Sequence, residues 1–360
     1  MEHGYLMTAL SLNSPKSHPR RSIMTPSIPA PPDIESDVSE RLGSVLQQHF
    51  LLPIHVSGVF PLAGHLHSLY LVRLSNEAHL LWKCSPRPTT PLLRRGHILL
   101  DTEARALSLL NKDPIPCIPR LFHYDPLGNL LGPSFLIRHH ISGLTLDSLE
   151  SRLSSQERKA IDRSLGLLGR RISQHMSDSF GSLAQVANAA GKQSWRDAFL
   201  NLFEGILRDS EDVFINLPYG EIRYQVSRLS PVLDEILVAR LVVINFGHPS
   251  HVFVDPESKR LSGISGFGTA VWGDVYMAKI FENPSASTLD GFGSGSVKTL
   301  SGRIRQLLYV CPQGHVWKLY ENLTFISSLD TPATVRCTAL SYSTTKRIET
   351  RPLRLKLEDN

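Results

Sequence analysis

The feature that most constrains the fold is a hairpin of two short strands with a lysine on its return strand. Ser68–Leu74 has the pattern of a strand, Ser75–Ala78 can form a tight turn, and His79–Cys84 returns as a second strand. Lys83 lies in this return strand. A lysine on the buried side of a strand needs a partner, because an unpaired charge is costly to remove from water. The pattern therefore predicts a β-hairpin whose lysine is paired.

A candidate partner for Lys83 lies twenty residues further along the chain. The segment Asp101–Leu110 has helical spacing of its apolar residues, which predicts a helix carrying Glu103. Kinase-like enzymes use a strand lysine and a helix glutamate to hold nucleotide phosphates. A surface lysine and a surface glutamate would explain the two residues equally well, so the pair alone leaves both interpretations open.

Other elements are predicted around this hairpin. Apolar periodicity indicates a helix over Val38–Phe50, with Asp37 as its N-cap. Val56–Phe60 has the pattern of a strand, and the prolines of Ile115–Asp125 favour an extended path. Gly132–Arg138 is predicted to be a strand that leads through a short linker into a helix. Such a connection would join a small lobe to a larger one.

The two ends differ in composition from the middle of the chain. Residues 1–34 are rich in serine and proline and are predicted to be a disordered leader. This stretch lacks the apolar core of a signal peptide, so secretion is not indicated. Residues 326–360 are polar and basic, and we interpret them as a solvated tail in preference to an anion-binding arm.

Composition excludes several classes of function. Of 360 residues, 41% are hydrophobic and 20% are charged, which is typical of a globular protein with a large core. The net charge of +5 is dispersed, which argues against a nucleic-acid partner, and no apolar run is long enough to predict a membrane span. The four cysteines form no C-x-x-C pair, which argues against a zinc site and favours a reducing, cytoplasmic location.

The order of motifs resembles that of the aminoglycoside phosphotransferase family, which comprises kinase-like enzymes related to choline kinases. The matching pieces extend from Val56 to Tyr320, and they include Leu81–Pro86, Thr102–Ala104, Pro119–Asp125, Ile141–Leu146, Ser194–Phe199, Trp272–Asp274 and Asn283–Ser285. The resemblance implies an α+β, two-lobed protein-kinase-like fold. It implies a small N-terminal lobe with a mixed sheet at 35–143 and a mainly helical C-terminal lobe at 144–325.

The catalytic motifs of that family are altered in this chain. The family's catalytic loop reads H-G-D-x-x-x-x-N, and D-F-G or a variant follows after a strand. The aligned segments here are Ile244–His251 and Ile264–Ala270. The resemblance therefore places Phe246 at the catalytic aspartate, His251 at the metal-binding asparagine and Gly266 at the metal-binding aspartate.

These substitutions bear directly on phosphoryl transfer, which needs Mg²⁺ held by hard oxygen ligands. Phe246 has no acceptor, Gly266 has no side chain, and histidine suits softer metals. General-base help alone contributes about 10²–10⁴ in rate. Kinase activity is therefore predicted to be absent or trace, with no metal site and no firmly predicted cofactor. ATP binding without Mg²⁺ remains possible through Lys83 and Glu103.

The cleft between the lobes should persist. The phosphate loop Pro61–Ser68 has one glycine, Gly64, where a close phosphate cradle usually needs more. His65 and His67 of this loop are interpreted as solvated. The cleft is predicted to be lined by Lys83, Glu103, Phe246, His248, His251 and Asp274.

Three functions remain open. The first is a pseudoenzyme that binds a small-molecule ligand or scaffolds a protein partner. The second is a repurposed enzyme for cyclisation, isomerisation or dehydration in fungal secondary metabolism, with His248 and His251 as acid–base candidates. Both histidines could instead cap the following strand. The third is a residual small-molecule kinase that uses Asp255 or Asp274, although Asp274 also has the position of a helix cap.

Overall fold

The computed structural model describes residues 34–63, 66–86, 92–293 and 299–310, with the backbone alone at 34–37 and 95. The predicted leader up to residue 33, the predicted tail at 326–360, and Gly64 and His65 of the phosphate loop lie outside these ranges. The described residues form an α+β structure with two lobes, as predicted. None of the helices in these ranges combines the length and hydropathy that crossing a membrane requires.

The N-terminal lobe is built on a five-stranded sheet with the order β1-β2-β3-β5-β4. Its strands are β1 Val56–Leu62, β2 Ser68–Leu74, β3 His79–Cys84, β4 Leu121–Asp125 and β5 Phe135–His139. The predicted hairpin is confirmed, since β2 and β3 have the predicted bounds. The prediction of a mixed sheet is wrong, because every neighbouring pair is antiparallel. The start of β5 pairs with the end of β3, Phe135 opposite Cys84, so β5 runs back along β3.

Two helices cover the sheet, and both begin earlier than the sequence predicted. Helix α1 spans Ile34–Gln47, so Asp37 lies inside it and the N-cap prediction is wrong. Helix α2 spans Arg94–Leu110 and carries Glu103. Its first turn is anchored by Asp209 of the C-terminal lobe, which accepts hydrogen bonds from the backbone N–H and the guanidinium of Arg94. This tertiary contact explains why the helix begins at Arg94, before the segment Asp101–Leu110 that its apolar spacing predicted.

Alternation along the central strands separates the two faces of the sheet. Trp82 and Phe135 pack in a buried cluster with α1. Their neighbours Lys83 and Leu136 point to the opposite face, where α2 packs. Because side chains repeat every second residue along a strand, Arg138 lies on the α2 face as well. The face under α2 therefore receives the charged side chains.

The C-terminal lobe is mainly helical, as predicted. Its helices are α3 Leu146–Leu149, α4 Ser155–Ile172, α5 Leu183–Ala187, α6 Trp195–Asp212, α7 Tyr219–Leu229, α8 Ala286–Phe292 and α9 Leu300–Tyr309. Its strands are β6 Leu144–Thr145, β7 Met176–Ser177, β8 Gly181–Ser182, β9 Ala239–Val243, β10 Val252–Val254, β11 Leu261–Ile264 and β12 Ala270–Gly273. Helices α6 and α9 meet in the core through the aromatic side chains of Trp195, Phe199 and Tyr309.

A hairpin of β10 and β11 lies against the connection between the lobes. Strand β6 follows the linker and pairs with β10, Thr145 opposite Phe253. The linker approaches closely at Gly143, whose φ is 110°, and a Cβ there would lie 2.6 Å from the carbonyl oxygen of Val254. The segments before and after this hairpin are consequently held at the junction of the two lobes.

Candidate functional site

A buried ionic triad occupies the α2 face of the N-terminal sheet. Lys83 Nζ lies 2.6 Å from Glu103 Oε2, and Arg138 Nε lies 3.0 Å from Glu103 Oε1. The predicted lysine–glutamate pair is thus formed. Burial favours the protonated form of Glu103, but the charges and hydrogen bonds of Lys83 and Arg138 outweigh it and lower the pKa of Glu103 to about 2. We call these three residues the triad.

Arg138 is a member of the triad that sequence reasoning missed. It lies in β5 directly opposite Leu81 of β3 and is almost fully buried. A signal was present in the sequence, because Arg138 interrupts an apolar strand two residues after Leu136, on the same face. Recognising it requires the pairing of β3 with β5, which the sequence alone does not reveal.

His67, just before β2 of the hairpin, lies within the electrostatic influence of Lys83 and Glu103 of the triad. It was predicted to be solvated, yet only 9% of it is exposed, and that interpretation is wrong. Burial is the main reason that the pKa of His67 falls to about 4, and the charge of Lys83 lowers it further while Glu103 opposes the shift. The ring nitrogen Nε2 is buried and has no hydrogen-bond partner among the described residues.

Phe246 points into the C-terminal core. Its side chain is buried, and a Cβ added at Gly169 of α4 would lie 2.9 Å from its ring. The ring also borders a cavity of about 20 Å³ together with Ile172 and Phe281. The prediction that Phe246 lines the cleft is therefore wrong. The physical reason is that an apolar ring gains more from the helical core than from an aqueous cleft.

His251 directly precedes β10 and Gly266 closely follows β11. The two residues therefore lie side by side at the open end of the β10–β11 hairpin. His251 Nδ1 lies 3.1 Å from the hydroxyl of Ser265, and a Cβ on Gly266 would lie 3.3 Å from the His251 ring. Burial, then the charges of His248 and Lys83, lower the pKa of His251. Electrostatic influence from Lys83 connects this half-buried ring of the C-terminal lobe to the triad of the N-terminal lobe.

His248 has a local structural role. Its Nδ1 accepts a hydrogen bond from the backbone N–H of Ser250 and lies 2.8 Å from the Ser250 hydroxyl. The residue thereby caps the short 3₁₀ turn Pro249–His251. The rings of His248 and His251 lie 5.7 Å apart, so the two histidines are neighbours, although His248 is exposed and His251 is half-buried.

Comparisons with known proteins place this geometry in a structural class. No family model matches the chain. No curated protein matches it either. Among solved structures, a thermostable mutant of aminoglycoside phosphotransferase APH(4)-Ia in complex with ADP and hygromycin B superimposes with a TM-score of 0.54, at 14% identity, over 81% of this chain and 92% of that chain. The chain has the aminoglycoside phosphotransferase fold.

Two further structures support the same phosphotransferase fold. A putative aminoglycoside phosphotransferase from Ralstonia eutropha JMP134 gives a TM-score of 0.52 at 13% identity, over 82% of this chain and 91% of that chain. The gentamicin complex of APH(2")-IIa gives 0.50 at 16% identity, over 84% and 98%. The expected fold is confirmed by these superpositions.

Asp274 lies in the core of the C-terminal lobe. Its carboxylate accepts hydrogen bonds from the Tyr309 hydroxyl at 2.8 Å and from the backbone N–H of Tyr276 at 3.1 Å, and Arg305 Nε lies 3.6 Å away. The cap position is confirmed, because Asp274 caps a 3₁₀ turn at Val275–Met277. Its expected place in the cleft is wrong, since all its described partners belong to the core.

Asp255 is equally committed to local structure. Its Oδ1 accepts hydrogen bonds from the backbone N–H groups of Glu257 and Ser258 and from the Ser258 hydroxyl. These bonds close the turn of the β10–β11 hairpin, at the opposite end of β10 from His251. Neither aspartate proposed for relocated metal binding is therefore brought to the triad.

The donor set at the hairpin does not fit Mg²⁺. The two positions that the resemblance assigns to metal ligands present an imidazole at His251 and a bare backbone at Gly266, whereas Mg²⁺ takes oxygen ligands in octahedral geometry. Within the described ranges, no group of three or more histidine, cysteine, aspartate or glutamate side chains is arranged to hold a metal. What the site does offer is cationic and neutral nitrogen donors: Lys83, Arg138, His67 and His251.

Proposed function

We propose that this chain is a pseudoenzyme of the phosphotransferase fold that binds a phosphate-bearing small molecule, such as a nucleotide, without a divalent metal and without transferring its phosphoryl group. The observation that carries the proposal is the triad. Its lysine is held at 2.6 Å by a glutamate that stays ionised, and 16% of the lysine side chain remains exposed. Lys83 therefore keeps ammonium donors for an anion while its position is fixed.

The hairpin supports the second half of the proposal. Phosphoryl transfer requires charge neutralisation at the transferring group and a residue that positions the nucleophile. Phe246 is turned into the core, and the Gly266 and His251 positions offer no carboxylate or amide oxygen. The described cleft therefore keeps cations that attract phosphate, but at positions 246, 251 and 266 it has no side-chain oxygen to hold Mg²⁺ or to position the attacking group.

The test is ATP binding measured by thermal shift, once with excess EDTA and once with Mg²⁺. We expect a rise in the unfolding temperature in EDTA, because a ligand that binds the folded state alone stabilises it. Mg²⁺ should add nothing, and no ADP should form during incubation. A shift that requires Mg²⁺, or ATP turnover above the buffer rate, would overturn the proposal.

A variant pair locates the binding. Lys83→Met removes the exposed ammonium group, whereas Lys159→Met alters an exposed lysine on α4. The first variant should lose the ATP-dependent shift and the second should keep it. Equal shifts in both variants would place the nucleotide elsewhere.

A second candidate is a repurposed enzyme that transfers protons, and one contact favours it. His251 Nδ1 is oriented by the Ser265 hydroxyl, and burial and neighbouring cations keep its ring neutral at pH 7 by lowering its pKa. A neutral, oriented imidazole is a suitable general base. Turnover of an apolar substrate that is lost in both His251→Gln and Ser265→Ala, with ATP binding unaffected, would favour this candidate.

A further inference from the structure

His67 carries a buried polar atom that the described residues leave without a hydrogen-bond partner. Only 9% of the residue is exposed, and the atom without a partner is its ring nitrogen Nε2. Buried polar atoms are nearly always paired, and an unpaired one costs free energy. An unsatisfied ring nitrogen beside a lysine therefore suggests a partner that arrives with a ligand.

The surroundings of His67 identify the charge of that partner. Lys83 of β3 and Glu103 of α2 are the charged groups that act on its ring. Each oxygen of Glu103 already has a partner, Oε2 in Lys83 and Oε1 in Arg138 of β5. Glu103 is consequently occupied within the triad, and a group that meets both His67 and the free ammonium donors of Lys83 must be an acceptor.

His251, in the other lobe, is also influenced by the charges of the triad. The charges that act on its ring come from His248, Lys83, Glu103 and the exposed Asp147 of α3. The triad carries a net charge of +1, since two cations surround one carboxylate. A nucleotide triphosphate without a metal brings several negative charges, so added positive charge on the imidazoles would stabilise it.

We infer that His67 is a phosphate-binding residue of this cleft, whose ring takes up a proton from solvent when a phosphate oxygen binds between Nε2 and Lys83. The inference rests on the proposed function and adds to it a specific residue and a dependence on pH. No covalent bond changes in the step: neutral imidazole, a solvent proton and the anion become an imidazolium–phosphate hydrogen bond. The proton supplies part of the charge that a divalent cation would bring.

The sign of the pH effect follows from this exchange. In the free protein the pKa of His67 is about 4, so the ring is neutral at pH 7. A bound phosphate favours the imidazolium and raises that pKa, so affinity increases as the pH falls. Because the pKa of Glu103 is about 2, the triad remains ionised across the range from pH 7 to 5.

The experiment is calorimetry of ATP binding in EDTA at pH 7, 6 and 5, in two buffers of different ionisation enthalpy. The wild-type protein should take up protons on binding. Its affinity should increase at least about ten-fold more between pH 7 and 5 than that of His67→Gln, because one linked proton is worth up to ten-fold per pH unit. Because both proteins bind the same ATP, the protonation of ATP itself contributes equally to both affinities and cancels in their ratio.

His123→Gln is the matched control. His123 is half-buried, burial lowers its pKa too, and it lies with His49 and Phe135 on the face of the sheet opposite Lys83. This variant should keep the pH dependence of the wild type. If His67→Gln fails to fold, proton uptake that persists in His251→Gln assigns the proton to His67, because His251 is the other imidazole on which the charge of Lys83 acts.

The outcomes distinguish failure of the role of His67 from failure of nucleotide binding itself. Binding in EDTA with no proton uptake, or with the same pH dependence in His67→Gln, would overturn the role of His67 and leave the proposed function standing. No binding of ATP at any of the three pH values would overturn both.

Discussion

The two sides of the cleft, the triad and the β10–β11 hairpin, differ in the charged groups that they hold. On the N-terminal side, one buried carboxylate lies within 3.0 Å of two cations that belong to the protein itself. On the hairpin side, positions 246, 251 and 266 hold a core aromatic ring, a half-buried imidazole and a glycine. The triad is satisfied without any ligand, whereas clustered metal-binding carboxylates would be satisfied only when an ion is bound.

This difference separates stability from function. Removing a charge from water is tolerated when its partner is always present. Glu103 meets that condition through Lys83 and Arg138, so the triad supports the folded state whether or not a nucleotide binds. A carboxylate at position 266, by contrast, would need a bound metal ion as its counter-charge. The hairpin, relieved of such groups, retains its buried strands Val252–Val254 and Leu261–Ile264.

The largest expected effect comes from placing an aspartate back at the catalytic position. Phe246→Asp puts a charge into the C-terminal core, against Gly169 and beside Phe281. Loss of a buried aromatic ring costs about 3–5 kcal/mol, and the unpaired carboxylate adds to it. We expect more than about 5 kcal/mol of lost unfolding free energy, measured by urea denaturation.

Phe246→Leu is the control for this change, since it preserves apolar character and should cost less than about 2 kcal/mol. A folded Phe246→Asp protein within 1 kcal/mol of the wild type would mean that this side chain faces the cleft, and the contrast between the two sides would fail.

The next effect tests the triad as a structural unit. Glu103→Ala leaves Lys83 and Arg138 buried without a counter-charge, which should cost about 3–5 kcal/mol of unfolding free energy. Glu40→Ala alters an exposed glutamate of α1 and should change stability by less than about 0.5 kcal/mol. Denaturant titration of both variants checks the difference. Similar small losses would show that the triad is dispensable for folding.

The same carboxylate predicts how stability depends on acid. The pKa of Glu103 is lowered from 4.5 to about 2 in the folded protein. Its contribution is therefore complete above about pH 4.5 and is lost as the pH falls through 4.5 towards 2, by roughly 3 kcal/mol in total. Glu103→Gln should lose this part of the acid sensitivity. Parallel stability profiles for wild type and variant from pH 5 to 2 would contradict the prediction.

The sequence predicted local pairs better than long-range ones. Strands β2 and β3 and the contact between Lys83 and Glu103 were predictable, because a hairpin and the next helix are close along the chain. Arg138 was not, since its role depends on a pairing with Leu81. The start of α2 was missed for the same reason, because its anchor Asp209 is 115 residues from Arg94.

Side-chain direction was the second source of error. An alignment gives a position but does not say which way the side chain points, and Phe246 and Asp274 were both expected in the cleft. Phe246 turns to the helical core, and Asp274 is held by Tyr309, which lies 35 residues further along the chain. His67 was missed in the opposite sense, because it was expected in solvent and is buried.

The smallest expected effect comes from restoring oxygen ligands to the hairpin. It tests whether the loss of these ligands is the only reason that the hairpin does not bind Mg²⁺. Gly266 has φ of 88°, and a Cβ there would press on the His251 ring at 3.3 Å. Gly266→Asp should therefore cost about 1–2 kcal/mol, less than a branched residue would, because aspartate tolerates this conformation comparatively well. Adding His251→Asn removes the ring and should recover at least about 0.5 kcal/mol as a coupling energy.

The double variant also supplies two oxygen ligands where the wild type has none, so its thermal stabilisation by ATP should acquire a dependence on Mg²⁺ of about 1 kcal/mol. Gly220→Asp, at an exposed glycine of α7 with open space around its Cβ, controls for the added charge. It should show no such dependence. A Mg²⁺ dependence of about 1 kcal/mol in the wild type as well would mean that the hairpin already holds the ion through its present residues. The two sides of the cleft would then differ in their ligands but not in their capacity to bind a metal–nucleotide complex.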